Sequence, residues 1–130
     1  MSYKLFLDDV REPVQVKWVE LPLGPWEIVR NYQQFVDHIT KNGLPSFVAF
    51  DHDLADEHYR PSMYNKDGHY TNYYTDGTFK EKTGYDCAKW LIEYCINNNR
   101  IFPEYEVHSM NPIGKINIRS IVENFKATIK

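Results

Sequence analysis

The sequence predicts an α/β fold, a parallel sheet with helices on both sides, and three observations carry that prediction. Short apolar runs of strand length alternate with segments of helical period. The first and third runs stop abruptly at carboxylates, Asp8-Asp9 and Asp51, as buried parallel strands do where they meet solvent. Proline and glycine fall in the connections rather than in the runs. A length of 130 residues with 42% hydrophobic content suits a single domain over 1–130.

Residues 3–7 (YKLFL) read as the first strand. From 10 to 25 the spacing fits neither helix nor strand, and Pro13, Pro22, Gly24 and Pro25 interrupt it, so a long connection with one irregular turn is expected. Residues 26–30 supply the second strand. Asn31 can cap the next helix, in which Phe35, Val36 and Ile39 form an apolar stripe, and Asn42-Gly43 followed by Pro45 stops it. SFVAF, residues 46–50, is the third strand. Thr83 opens a second helix whose Cys87, Ala88, Leu91 and Cys95 share a face until Asn97-Asn98-Asn99. Cys87 and Cys95 are about 12 Å apart along a helix axis, beyond disulfide reach, and read as core thiols. Pro103 precedes the fourth strand, 105–108. After Ser109 the NPIGK turn opens a last helix with Ile118, Ile121, Val122, Phe125 and Ile129 toward the sheet. Right-handed crossovers make these strands parallel.

Residues 55–82 form a long Tyr-rich segment after the third strand. It holds His58, His69, Tyr59, Tyr64, Tyr70, Tyr73, Tyr74 and Phe79 with no sustained period. A loop this long inside a compact domain is usually functional or disordered. Its aromatics suit either a structural flap or stacking on a nucleobase. His58 and His69 are not assigned to chemistry.

The formal charge of −3, from 15 basic and 18 acidic residues, provides no broad cationic field, so an extended double-stranded DNA surface is not expected. A small phosphorylated ligand is compatible with it, because local geometry can bind what net charge does not attract. The opening MSYKLFLDD reaches two carboxylates before a signal-like apolar core forms, and no later stretch approaches membrane-spanning length. The expected location is cytoplasmic, with no membrane partner.

Open parallel sheets bind ligands at the carboxyl ends of their strands. Asp8, Asp9, Asp51, His52, Asp53 and His108 all map to that edge. Gathered carboxylates repel one another unless a cation or a shared proton relieves them, and carboxylate oxygens suit Mg2+ or Mn2+. The plain alternative is acids that cap turns in solvent. His52, between two acids, can act as acid, base or ligand, or can simply bond to backbone. His108, Ser109, Asn111 and the amides opening the last helix can present donors to an anion. Ser109 and Asn111 suit helix capping equally well. Arg11 and Lys115 can grip a phosphate or be ordinary surface charges.

The motif LFLDD resembles the first strand and acidic pair of the receiver domain of two-component signalling, SFVAFD its phosphoacceptor strand, and TGYDCAKWL the helix after it. More specifically, LDDVREP, FDHDL, TGYD and HSMNPIG together resemble the cyclic-phosphate processing receiver domain. That resemblance implies a receiver-like, flavodoxin-like sheet of about four strands in the order 2-1-3-4. It implies Asp8, Asp9 and Asp51 as the metal set, Asp51 as the counterpart of the phosphoacceptor, and Ser109 or His108 in place of the fourth-strand hydroxyl residue. Receivers use a lysine at the end of a fifth strand, which is not expected here, and this departure counts against ordinary phosphorelay unless Lys115 substitutes for it. The histidines His52 and His108 are absent from typical receivers and resemble the pattern linked to cyclic phosphates in RNA repair.

The expected function is a metal-dependent phosphoesterase processing a cyclic phosphate at an RNA end or in a small nucleotide. Asp8, Asp9 and Asp51 hold the cation, and His52 and His108 share the acid and base roles, with Asp53 orienting His52. Arg11, Ser109, Asn111 and Lys115 hold the phosphate. The alternatives are a phospho-accepting signalling module that uses Asp51, and a non-catalytic nucleotide-binding domain.

Overall fold

A computed structural model of the protein describes residues 3–54 and 82–128. The element order is β1 (Lys4–Leu7), a 3-10 turn (Pro13–Gln15), β2 (Trp26–Val29), α1 (Tyr32–Asn42), β3 (Phe47–Phe50), α2 (Gly84–Asn97), β4 (Glu104–Val107) and α3 (Pro112–Thr128). The Tyr-rich loop expected over 55–82 lies, apart from Lys82, outside the described residues, as does Ile129. No helix among the described residues is long and apolar enough to cross a membrane.

The four strands form one parallel sheet in the order β2-β1-β3-β4. This is the receiver-like, flavodoxin-like α/β class, in the strand order that the resemblance implies. Local signals set the boundaries. The Asn31 side chain accepts from the Gln34 amide at 2.8 Å to begin α1, and Gly43 ends it at φ 87°, a conformation that glycine adopts without strain. Cys87 and Cys95 are buried free thiols, and burial raises both above the usual thiol range.

Among the described residues the helices are layered on one face of the sheet. Side chains alternate along each strand, and Leu5, Leu7, Val48 and Phe50 pack with Phe35 and Ile39 of α1, Leu91 of α2 and Ile118 and Val122 of α3. The three helices of the described residues therefore share one face. Phe6 and Ala49 point the other way and pack with Val16, Val19, Leu21 and Trp26. The strand order explains the asymmetry. From β2 onward the chain steps across the sheet in one direction, so right-handed crossovers stack α1 and α2 on the same side. The β1 to β2 connection runs back across the sheet, and its prolines keep that segment irregular.

Candidate functional site

At the carboxyl edge the ladder runs one residue past each strand. The Asp8 amide donates to the Val29 carbonyl at 3.1 Å, the Asp51 amide to Leu7 at 3.0 Å and the His108 amide to Phe50 at 2.9 Å. Backbone hydrogen bonds thus hold Asp8, Asp51 and His108 side by side on neighbouring strands. Each follows a residue of the helix-covered face, so alternation turns all three toward the face of Phe6 and Ala49. The His108 ring confirms that direction: it stacks on Phe6 with centroids 4.6 Å apart and planes 7° from parallel.

Asp8, Asp51 and His108 are buried, and one potential ligand atom from each lies within 4.8 Å of the others. His108 Nε2 is 3.0 Å from Asp8 Oδ2, while Asp8 Oδ1 accepts from the amides of Val10 at 3.0 Å and Arg11 at 2.8 Å. Burial alone would raise the Asp8 carboxyl. The bonds from His108 and the two amides outweigh it and bring the pKa down to about 2. Asp51 moves the opposite way. Burial, then the charges of Asp8 and Asp53, push it up to about 8 against the single amide bond from His52. Burial and the neighbouring Asp8 also raise Asp9.

Asp9 stands beside this group rather than within it, one residue further along and half-buried. Among the described residues, three buried atoms at the edge have no hydrogen-bond partner: Asp9 Oδ1, Asp51 Oδ2 and His108 Nδ1. Buried polar atoms are almost always satisfied, so acceptors left open beside clustered carboxylates are what a cation-binding site provides. The donor set of carboxylate oxygens with one imidazole fits Mn2+ and, through its oxygens, Mg2+.

His52 occupies a different environment. It follows Asp51 and so turns to the helix side, where its fully buried ring lies against Gly114 of α3. Its Nδ1 is 2.8 Å from Asp53 Oδ1, and the Asn111 side-chain amide donates to both Asp53 oxygens at 3.2 and 3.3 Å. The structure brings His108, not His52, to the carboxylate pair. Asn111 and Ser109 serve the start of α3: Asn111 Oδ1 accepts from the Gly114 amide at 3.0 Å, and Ser109 Oγ accepts from the Asn111 amide at 3.1 Å. Arg11 stands at the rim with Nη1 3.5 Å from Asp8 Oδ2. Lys115 is half-buried in the first turn of α3, with its backbone amide on the Asn111 carbonyl.

Four residues important to this geometry were not singled out in the sequence. Gly84 donates its amide to the His52 carbonyl at 2.8 Å, and a Cβ there would overlap the Asp51 carbonyl oxygen. A Cβ on Gly114 would overlap the His52 imidazole. Glycine in the first turn of a helix works against helix propensity, which is a readable sign of close backbone approach. Arg30 donates to the carbonyls of Asp8 at 3.2 Å and Arg11 at 2.6 Å, bracing the loop after β1. Trp18 donates from Nε1 to the His108 carbonyl at 2.6 Å. Nothing in the pattern of that irregular connection marks it.

A family model described as the cyclic-phosphate processing receiver domain matches residues 3–124, nearly the whole chain. The chain belongs to that family. The match spans all four strands and most of α3, so the Asp8, Asp51 and His108 edge lies inside the family domain. No curated protein and no solved structure matches the chain.

Proposed function

We propose that this cyclic-phosphate processing receiver domain is a metal-dependent phosphoesterase, acting in the cytoplasm on a cyclic phosphate at an RNA end or in a small nucleotide. The observation that carries the proposal is the convergence of Asp8, Asp51 and His108 from three strand ends, with ligand atoms within 4.8 Å and buried acceptors lacking partners. Asp8 is ionised at any working pH, since its carboxyl is held at about 2. Asp51, pushed up to about 8, carries its negative charge comfortably only opposite a cation. Asp9 Oδ1 offers a further oxygen beside them. Bound Mg2+ or Mn2+ would supply positive charge for the phosphoryl oxygens and a means of activating water.

In the reaction a water oxygen adds to phosphorus, one ring P–O bond breaks, and the departing oxygen takes up the proton that water gives up. His108 is the histidine on the carboxylate side and is assigned that proton at Nδ1, the cation being left to the carboxylates of Asp8, Asp9 and Asp51. His52, with Asp53 and Asn111, holds the turn that carries Asp51 and so acts as a positioning residue. Arg11 at the rim and Lys115 at the start of α3 are the cations assigned to the phosphate. Ser109 and Asn111 contribute by fixing the amides that open α3.

Turnover of nucleoside 2′,3′-cyclic phosphates, followed with Mg2+ or Mn2+ and with chelator, tests this directly. Cation-dependent release of the monophosphate, lost in Asp51→Asn and in His108→Ala, is expected. Absence of turnover with either metal, or full activity in Asp51→Asn, contradicts the proposal.

A further inference from the structure

Beside the carboxylates the Arg11 guanidinium meets Trp18, a flat side chain that the proposed chemistry leaves unexplained. Trp18 belongs to neither apolar cluster, and 40% of it is exposed. Its indole is nevertheless fixed, because Nε1 donates to the His108 carbonyl at 2.6 Å. The Arg11 guanidinium lies over the ring, its Cζ 5.1 Å from the centroid. The same guanidinium reaches Asp8 Oδ2 at 3.5 Å and Met110 Sδ at 3.4 Å, and Met110 is 65% exposed. The bond to His108 fixes the indole beside the site while part of its surface stays open to solvent, so a ligand at the carboxylates can reach it. Arginine stacked on indole extends a planar surface toward the carboxylates, and an aromatic base can add to such a stack through its π-face.

We propose that the Arg11–Trp18 stack, with Met110 at its side, is a base-recognition platform that makes the site select nucleoside cyclic phosphates over cyclic phosphates without a base. The proposal deepens the phosphoesterase reading and rests on it for the identity of the phosphate. Arg11 links the two functions, since one guanidinium borders both the platform and the Asp8 carboxylate. The planar group recognised is a nucleobase, whether of a free nucleotide or of the last nucleotide of an RNA.

The test compares wild type, Trp18→Leu and Trp18→Phe on three cation-loaded reactions. The substrates are adenosine 2′,3′-cyclic phosphate, a short oligoribonucleotide ending in that group, and glycerol cyclic phosphate, which has no base. The leucine removes the flat face, whereas the phenylalanine keeps it and removes only the N–H. The ratio of kcat/KM for base-bearing to base-free substrate should fall about tenfold in Trp18→Leu, through KM, and only two- to threefold in Trp18→Phe. A ratio unchanged in Trp18→Leu overturns the proposal, as does an equal fall in both variants, which would trace the effect to the bond with His108. A fall shared by mononucleotide and oligonucleotide supports recognition of the terminal nucleoside itself, and a fall confined to the oligonucleotide supports recognition of an RNA end. If wild type turns over none of these substrates, the phosphoesterase reading fails, yet the platform is still measurable. Calorimetric titration should then show adenosine 3′-monophosphate binding about tenfold more tightly than ribose phosphate, with the preference reduced in Trp18→Leu. Equal affinities for the two ligands overturn it.

Discussion

The two sides of one sheet edge, a single residue apart in sequence, are built on opposite principles. On the side of Phe6, Asp51 and His108 leave buried polar atoms without partners among the described residues, and Asp51 is set against the charge of Asp8. On the helix side, His52, Asp53 and Asn111 are joined in hydrogen bonds and packed against a glycine. The first arrangement is costly while its carboxylates are charged, and either a cation or a proton on Asp51 relieves it. The second is rigid without any ligand. Strand alternation produces the contrast, since Asp51 and His52 are consecutive and must face opposite ways. A turn satisfied on one side holds an unsatisfied set on the other.

The comparison can be broken most sharply at the glycine that brings α2 against the turn. Gly84→Ala places a Cβ on the Asp51 carbonyl, which backbone cannot yield easily, and should cost about 3 kcal/mol. Thermal unfolding should show this loss equally with and without divalent cation, because the clash is with backbone rather than with the charged set.

A smaller effect, of opposite sign, is expected on the carboxylate side. The Asp51 pKa is raised from 3.8 to about 8, so in the cation-free protein its neutral form is favoured by folding. Its contribution to stability is complete below pH 3.8 and lost as pH rises through about 8. Asp8, lowered to about 2, contributes stability that is present above its ordinary value and lost as pH falls toward 2. Asp51→Asn should therefore make the cation-free protein about 2 kcal/mol more stable at pH 8, with the gain shrinking toward pH 4. Denaturant unfolding at the two pH values measures it. A destabilised Asn variant at pH 8 would remove the charge-repulsion account.

The histidines sharpen the comparison further. His52→Ala opens a cavity against Gly114 and should cost about 2 kcal/mol in stability while changing Mn2+ affinity less than threefold. His108→Ala should weaken Mn2+ about tenfold, through loss of the bond that orients Asp8. Equal effects of the two substitutions on Mn2+ binding would dissolve the distinction between the two sides. Asn111→Ala, which removes the cap of α3, should cost about 1 kcal/mol and little else by unfolding measurements.

Much of this architecture is legible in the residues. Carboxylates directly after SFVAF and YKLFL mark the strand ends, Asn31 and Thr83 mark helix starts, and Gly43 marks a stop. What the pattern does not convey is direction. A run of DHD after a strand places three polar groups at an edge, but only the register of the neighbouring strands reveals that Asp51 joins Asp8 while His52 joins α3. Grouping the two histidines as an acid–base pair follows from chemistry alone, whereas alternation separates their surroundings. The layering is similar: Pro13, Pro22 and Pro25 show that the first connection is irregular, and strand order is needed to see that the helices of the described residues stack on one face. Trp18 carries no periodic signal, so its tether to His108 appears only in three dimensions.

The most direct measurement of the central claim is calorimetric titration of Mn2+ into wild type and Asp51→Asn at neutral pH. One saturable site in wild type, weakened at least about a hundredfold in Asp51→Asn, is the predicted result. No binding by wild type, or equal affinity in the variant, would contradict the assignment of the Asp8, Asp51 and His108 edge as a cation site.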